Sequence, residues 1–236
     1  MEIQDQQGNK IANLTPGKSK GINIVNWNYT SKAPKTAKGK TIEFSGLQPL
    51  RVQAGTYKVV LKKGKDTYET AITVENDPKS SITFAERKSQ YTTSKTLFNM
   101  QEDLAYLVYK MDNTTAAAQK AMDASAKAKK SAQPLIDELT ALKETLVITT
   151  GDNYVDSAPP QLREKIGALF SDLASSFEAP SQAQLDNLRL LSERLAKAKT
   201  DLEAINGKQL TKFEKYLEKA GLPAIDYETK EAFLDD

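Results

Sequence analysis

The stretch "GTYKVVLKKGKDTYETAITVENDP", residues 55–78, divides this chain into two parts with different periodicity. Tyr57, Val59 and Leu61 alternate with other residues, and a two-residue period returns after the turn-forming segment "KKGKD". A period of two is typical of a β-strand with one covered face, and Gly64 supplies the backbone freedom that a hairpin loop needs. Pro78 cannot donate to a strand ladder, so we predict that the β region ends there.

Upstream of the hairpin, three shorter stretches have strand-like patterns, with turn residues between them. They are "GNKIANL" (8–14), "INIVNWNY" (22–29) and "KTIEF" (40–44). Together with the hairpin they fit within about 80 residues, which is the scale of an immunoglobulin-like β-sandwich. We therefore predict such a sandwich over residues 1–78.

Trp27 is the only tryptophan of the chain and lies in the second of these stretches. We interpret its indole as buried in the sandwich core or at the seam between the sandwich and the helices. The alternative is an exposed platform on which a carbohydrate stacks, because aromatic rings combine an apolar face with polar edges. Such a platform needs further aromatic side chains beside it, and the candidates are Tyr29, Tyr57 and Tyr68.

Residues 79–226 have a helical pattern and are predicted to form a bundle. Thr83 with Glu86 three positions later matches a capping box, which marks a helix start. We predict that this first helix continues through Asp112 and Asn113, although Asn and Thr are poor helix formers. The apolar positions that keep a helical spacing along it are Leu97, Met100, Leu104, Leu107, Met111, Ala118 and Met122.

Two shorter helices are predicted to begin at Pro134 and Pro160, because proline suits the first helical turn. The last arm repeats apolar residues every three or four positions from Leu188 to Ile205, which is a heptad seam. Asn206-Gly207 interrupts the seam, and it resumes at Leu210 after a skip of five positions.

The helix lengths predict the architecture. The first helix, of about 45 residues, spans about 70 Å, and the last arm spans about 57 Å. The two short helices, at about 23 and 26 Å, match one long arm only if they stack end to end through the loop 149–159. We therefore predict an α+β chain in which an elongated antiparallel bundle has three arms, the middle one broken. The alternative is a four-helix up-and-down bundle, and residues 227–236 are predicted to be a C-terminal tail.

Composition excludes several functions. The 236 residues include no histidine and no cysteine, which excludes imidazole and thiolate metal ligands, Ser-His-Asp catalysis and disulfides. The net charge is only +2 without a basic stripe, so no nucleic-acid partner is predicted. The sequence contains no run of about 18 apolar residues, so we predict no membrane span. The start "MEIQDQQGNK" has no apolar core, so we predict no signal peptide in this chain.

Carboxylates and amides could still bind metals or catalyse reactions. The loop "GDNYVDSAP" (151–159) resembles a calcium loop only in composition, because the EF-hand order and its final Glu are missing, and we interpret it as a turn. "GKSKG" (17–21) lacks the first glycine of a phosphate-binding loop. We therefore predict no catalytic, cofactor-binding or metal-binding residue, no cofactor and no enzyme activity. The oxygen donors of the loop are Asp152, Asn153 and Asp156. Four carboxylates on the predicted helices are interpreted as solvent-exposed and paired with basic residues of the same helix: Glu102, Asp103, Glu193 and Asp201.

A family resemblance adds to these predictions. "GKSKGINIVNWNYTSKAP" (17–34) and "LQPLRVQAGTYKVVLKKGKDTYETAITVENDPK" (47–79) resemble the C-terminal region of bacterial sortilin-type or BNR-repeat β-propeller proteins, which are often labelled glycosyl hydrolases. Segments 159–173, 179–195 and 206–225 are similar to the helices that close such proteins. The sequence departs from the family pattern at Asn28 (usually Asp), Ala54 (usually Pro) and Lys79 (usually Arg), and the matching residues are Gly21, Trp27, Gly55, Thr56, Tyr57, Val59, Asn76, Asp77 and Pro78.

The resemblance implies a function for the chain. The family's propeller, with its repeated Asp-box blades, is missing from these residues, so the family's hydrolase label does not carry over. What remains is a non-catalytic accessory module of a larger exported bacterial protein, periplasmic or on the cell surface, that acts as a spacer, docking or self-association element. The implied partners are the parent's β-propeller, another protein, or a second copy bound through the helices. The alternative is a carbohydrate-binding module of a glycan-processing protein, with a glycan as ligand.

Overall fold

The computed structural model describes residues 1–152, 154 and 157–235, which form a mixed α+β fold. One antiparallel sheet has the strand order β2-β1-β3-β4. Its strands are β1 (Glu2–Gln4), β2 (Lys10–Asn13), β3 (Gly55–Lys63) and β4 (Asp66–Val74). The predicted hairpin is confirmed: β3 and β4 pair without a register shift from Gly55 opposite Val74 to Lys63 opposite Asp66. Gly64 turns the chain with φ of 61°, a region that favours glycine.

The immunoglobulin-like sandwich is not confirmed, because the described residues contain a single sheet. The strands predicted at 22–29 and 40–44 are wrong. The described stretch between β2 and β3 contains an isolated bridge between Thr30 and Arg51 and a 3₁₀ turn, Ser45–Leu47, but no strand. Ile22 and Ile24 are 96 % and 83 % exposed, so their alternation does not mark a covered face. A loop takes the place of a second sheet: Trp27 packs its ring edge to face with Tyr57 of β3, at 5.4 Å between centroids.

Six α-helices follow in the part of the chain that the structure describes. α1 is one continuous helix of 41 residues through Asp112 and Asn113, as predicted. Its capping box is confirmed, since the Glu86 amide donates to the Thr83 hydroxyl at 3.2 Å and the Thr83 amide donates to the Glu86 carboxylate at 2.7 Å. Tertiary contacts hold the poor helix formers: buried Thr114 shares a 2.7 Å hydrogen bond with the Tyr227 hydroxyl. The helices are α1 (Phe84–Ala124), α2 (Lys129–Glu144), α3 (Leu162–Ala174), α4 (Gln182–Ile205), α5 (Thr211–Ala220) and α6 (Lys230–Asp235).

The helices form three arms with a broken middle arm, as their lengths predicted. α2 and α3 run antiparallel to α1. The partners of successive α1 residues have progressively lower residue numbers in α3 and α2. The Arg163 amide, at the start of α3, donates to the carbonyl of Leu146, just after the end of α2, at 2.8 Å. The two short helices therefore lie end to end. The contacts that fix the direction are Gln90 to the Leu173 carbonyl, Phe98 to Phe170, and Lys143 to Asp112.

The third arm runs parallel to α1. Two contacts fix this direction: the Ser192 hydroxyl of α4 bonds to the Met100 sulfur of α1, and Lys199, farther along α4, binds Asp103, farther along α1. α4 and α5 are joined by a π-helical turn, Asn206–Leu210, which inserts an extra residue into the helix. This insertion explains the five-position skip in the seam, because Ile205 and Leu210 are both buried on the same side.

The predicted starts of the two short helices are wrong. Pro134 lies inside α2, which begins at Lys129 after a 3₁₀ turn, Ala126–Ala128. The Ser125 hydroxyl accepts the Lys127 amide at 3.3 Å and starts that turn, so a polar cap precedes the proline. α3 begins at Leu162, because Gln161 and Glu164 form a capping box there.

Residues 30–50, called the strap below, run along the bundle rather than within the sheet. Arg163 is 5 % exposed and donates to the carbonyls of Ala37 and Thr41, at 3.0 Å each. Its guanidinium also binds the Glu164 carboxylate at 2.5 Å. At Gly167 an added Cβ would lie 3.1 Å from the Gly46 amide nitrogen, a tight contact that would push the strap away from α3 by a few tenths of an ångström. The domain division at residue 78 stays a prediction.

The C-terminal residues dock on the same side as the strap. Phe233 of α6 packs against Tyr109 of α1 at 4.7 Å between ring centroids. The Lys32 ammonium donates to the Leu234 carbonyl at 2.6 Å, which ties the strap to the end of α6. The predicted tail is therefore a short docked helix.

Arg163→Ala should destabilise the fold strongly, because it releases the strap and leaves the Glu164 carboxylate buried without its partner. We expect a loss of about 3–5 kcal/mol in the free energy of unfolding, measured by urea denaturation. The control is Arg189→Ala, which breaks an exposed ion pair with Glu193 and should cost less than about 1 kcal/mol. Equal losses for the two variants would contradict the role of Arg163.

Candidate docking cleft

A cleft of about 610 Å³ lies between the end of the hairpin and the base of the bundle. The sequence creates it locally at Asp77-Pro78. The Asp77 carboxylate accepts the Lys79 amide at 2.9 Å, and the turn leads the chain from β4 to the cap of α1. The start of α1 and the loop after α3 form the opposite side. The lining residues used below are Tyr29, Arg51, Thr73, Val74, Phe84, Arg87, Tyr91 and Phe177.

Two guanidinium groups share one aromatic ring in this cleft. The Arg51 and Arg87 Cζ atoms lie 4.6 and 4.7 Å from the centroid of the Phe177 ring. Such cation–π contacts hold a charged group in place without neutralising it. Arg87 also donates to the Ser80 hydroxyl at 2.8 Å, but its buried Nε finds no acceptor among the described residues.

The polar groups beside the two arginines favour binding. Burial raises the pKa of the Tyr91 hydroxyl, so this group stays protonated at neutral pH and remains a hydrogen-bond donor. The Gln90 amide is held by the Leu173 carbonyl at 2.7 Å and fixes α1 against α3 next to the cleft. Fixed cations, neutral donors and aromatic rings can bind and orient an anionic or planar group.

Trp27 is neither fully buried in a core nor fully exposed as a platform. Its indole nitrogen donates to the Thr30 carbonyl at 2.8 Å, and its ring meets Tyr29 and Tyr57 edge to face. It is half-buried rather than enclosed in a core. It also lines a second cleft of about 320 Å³ together with Asn26 and Asn28.

The described residues of the loop and glycine motifs are held by local hydrogen bonds. The Asp152 carboxylate accepts a hydrogen bond from the Tyr154 amide at 2.9 Å. This bond forms a turn at the start of the loop, as predicted. Asn153 and Asp156 lie outside the described residues. In 17–21, the Ser19 carbonyl accepts the Asn23 side chain at 3.0 Å within a segment that precedes no helix.

The prediction for the helical carboxylates is correct for two residues and wrong for two. Glu193 and Asp201 form exposed ion pairs with Arg189 and Lys197 along α4. Glu102 instead is buried, and its Oε1 has no hydrogen-bond partner among the described residues. The sequence held a signal for this burial, because Glu102 lies four positions after Phe98 and three before Ala105, which are both buried. Asp103 binds Lys199 and Lys230 from other parts of the fold rather than a neighbour on α1.

The sequence singled out Tyr29 for another role, as part of a carbohydrate platform, but not the two arginines and the phenylalanine of the cleft. Arg51, Arg87 and Phe177 come from three distant segments and fit no short motif. A weak signal existed for Phe177, an aromatic residue directly before the connection "EAPS" where no helix buries it. Arginines at a helix start or in a loop are ordinary surface residues by pattern alone.

Comparisons of the chain with protein-family models, with curated proteins and with solved structures found no match. The resemblance to sortilin-type and BNR-repeat proteins therefore stays a prediction.

Across residues 1–152, 154 and 157–235, no helix combines the length and apolar character needed to cross a membrane. The same described residues contain no group of three or more acidic side chains placed to hold a metal ion.

Glu102→Gln should stabilise the fold relative to the wild type as pH rises. Burial raises the pKa of Glu102, although Lys32 and Lys95 and the Lys35 amide act in the opposite direction. A raised pKa in the folded state means that the contribution of Glu102 to stability is present below the pKa of the unfolded chain. That contribution is lost as pH rises through the folded-state pKa.

Urea denaturation at pH 4 and pH 7 measures this effect. The difference in unfolding free energy, variant minus wild type, should become more positive at pH 7, whereas Glu193→Gln, at an exposed site, should show a smaller change. A difference for Glu102→Gln that becomes more negative at pH 7 would show that the lysines dominate.

Proposed function

We propose that the chain is a non-catalytic interaction module that docks a protein partner in the cleft between the sheet and the bundle. One observation carries the proposal: Tyr29, Phe84 and Phe177 are 52 %, 64 % and 40 % exposed, and all three line this cleft. Exposed aromatic residues that converge in one concavity are typical of protein interfaces, where they supply most of the binding energy.

The bundle supports the spacer part of the proposal. α1 is about 60 Å long and begins at the cleft, so a partner bound there is held at one end of an extended rod. Leu185 and Leu190 of α4 are exposed, and they are the helical surface that a second copy would use. The parent of this module, by the resemblance of residues 17–79, would be an exported bacterial β-propeller protein.

A carbohydrate-binding module is the second candidate. The observation that favours it is the position of Trp27 beside Asn26 and Asn28 in the second cleft, because an indole with amide neighbours suits a sugar ring. The indole N–H, however, is already bonded to the Thr30 carbonyl. The indole also packs against the rings of Tyr29 and Tyr57, which reduces the ring surface left for a sugar.

Site-specific photocrosslinking in the source cells tests the docking function. A benzophenone side chain at Phe84 should crosslink to a defined protein segment, identified by peptide sequencing and expected in a β-propeller with Asp-box repeats. The control is the same replacement at Tyr68, which is 55 % exposed on β4 but does not line the cleft. Equal crosslinking from both positions would contradict a docking site in the cleft.

The fluorescence of Trp27 distinguishes the carbohydrate-binding function from the docking function, because Trp27 is the only tryptophan of the sequence. Titration with neutral β-linked oligosaccharides should leave the emission maximum unchanged if the protein docks a protein partner. A saturable blue shift would instead support the carbohydrate-binding module.

A further inference from the structure

The two arginines of the cleft form no direct ion pair among the described residues, although Glu75 and Asp77 also line the cleft. Arg51 and Arg87 lie over the same ring. Two like charges on one ring repel each other, and the partly buried position of Arg87 reduces screening by water. An anion that enters the cleft removes this repulsion and contacts both groups.

Arg87 also has an unused donor. Its Nε is buried and, in the described residues, has no acceptor, while Nη2 is held by the Ser80 hydroxyl. Buried donors in proteins are almost always paired, so an unpaired one indicates that an acceptor is missing. A carboxylate matches this need, because guanidinium and carboxylate are both planar and form two parallel hydrogen bonds.

The backbone next to the arginines favours an extended peptide over other carboxylates. β4 is the edge strand of the sheet, and its last residues, Thr73 and Val74, line the cleft. One side of an edge strand presents unpaired N–H and C=O groups, which can bind a further strand from a partner. Glu75 and Asp77 also line the cleft, so only the position at the two arginines suits a carboxylate of the bound segment, and its other residues are uncharged.

We propose that the cleft binds an extended segment of a protein partner, which pairs with the edge of β4 and places one side-chain carboxylate against Arg51 and Arg87. The exposed rings of Phe84 and Tyr29 contact the apolar neighbours of that acidic residue. This inference rests on the proposed function and adds the chemistry of the partner to it.

Calorimetric titration of the full chain with three blocked peptides tests the inference. The probes are hexapeptides of alternating valine and threonine whose third position is glutamate, glutamine or lysine. We expect the glutamate peptide to bind with a Kd at least tenfold lower than the glutamine peptide, and the lysine peptide to bind weakest. In ¹⁵N spectra the glutamate peptide should shift the Nε–Hε signals of Arg51 and Arg87 and the amide signals of Thr73 and Val74.

Variants that remove one positive charge test whether the two arginines cause the preference for the glutamate peptide. Arg51→Gln and Arg87→Gln should each reduce the preference for glutamate to about twofold or less. Arg189→Gln, which removes the same charge from an exposed site on α4, should leave the preference unchanged. Arg51 is exposed, so Arg51→Gln keeps the test available if the Arg87 variant fails to fold.

Three results would overturn the inference. They are equal binding of the glutamate and glutamine peptides, absence of binding by every peptide, and tighter binding of a galacturonate oligosaccharide than of the glutamate peptide. The last result would assign the cleft to acidic glycans. A crosslink from Phe84 to a partner without any preference for glutamate would overturn this inference and leave the proposed docking function standing.

Discussion

The continuity of α1 is the constraint on which the rest of the structure depends. α2, α3, α4 and α6 all pack on this helix, and the strap meets it where Gly46 approaches Gln101. Its C-terminal half contains Asn113, Thr114 and Thr115, which would fray in an isolated peptide. Tertiary burial overrides that tendency, because Met111, Thr114 and Ala118 lie in the packed interior.

The break in the middle arm allows the strap to reach the bundle. Arg163 is at the start of α3, just after the break, and binds the strap carbonyls and the Leu146 carbonyl through different groups. The strap then leads to Arg51 and β3, so the position of the sheet follows from the position of α3. Both sides of the cleft are therefore held by the bundle, one through Phe84 and Arg87 on α1 and the other through the strap.

The sequence predicts those features that depend on local spacing. The hairpin, the Thr83 cap, the long first helix, the three arms and the skip after Ile205 follow from periods of two or three to four residues and from helix lengths. It fails where contacts are distant: β1 is three residues that pair with β3 across more than fifty positions. Alternation misleads at Ile22 and Ile24, because no surface covers them. The cleft could not be predicted, since its ring and its two guanidinium groups come from separate segments.

Amide hydrogen exchange at Asn113, Thr114 and Thr115 tests most directly that α1 is one rigid helix. The structure predicts protection factors for these amides comparable with those of Leu104 and Met111, because all of them lie within one continuous helix that buried Met111, Thr114 and Ala118 anchor in the bundle. Exchange at the rate of an unprotected peptide in residues 112–115, with protection on either side, would instead show a hinge. The three-arm bundle would then not hold both sides of the cleft in one fixed arrangement.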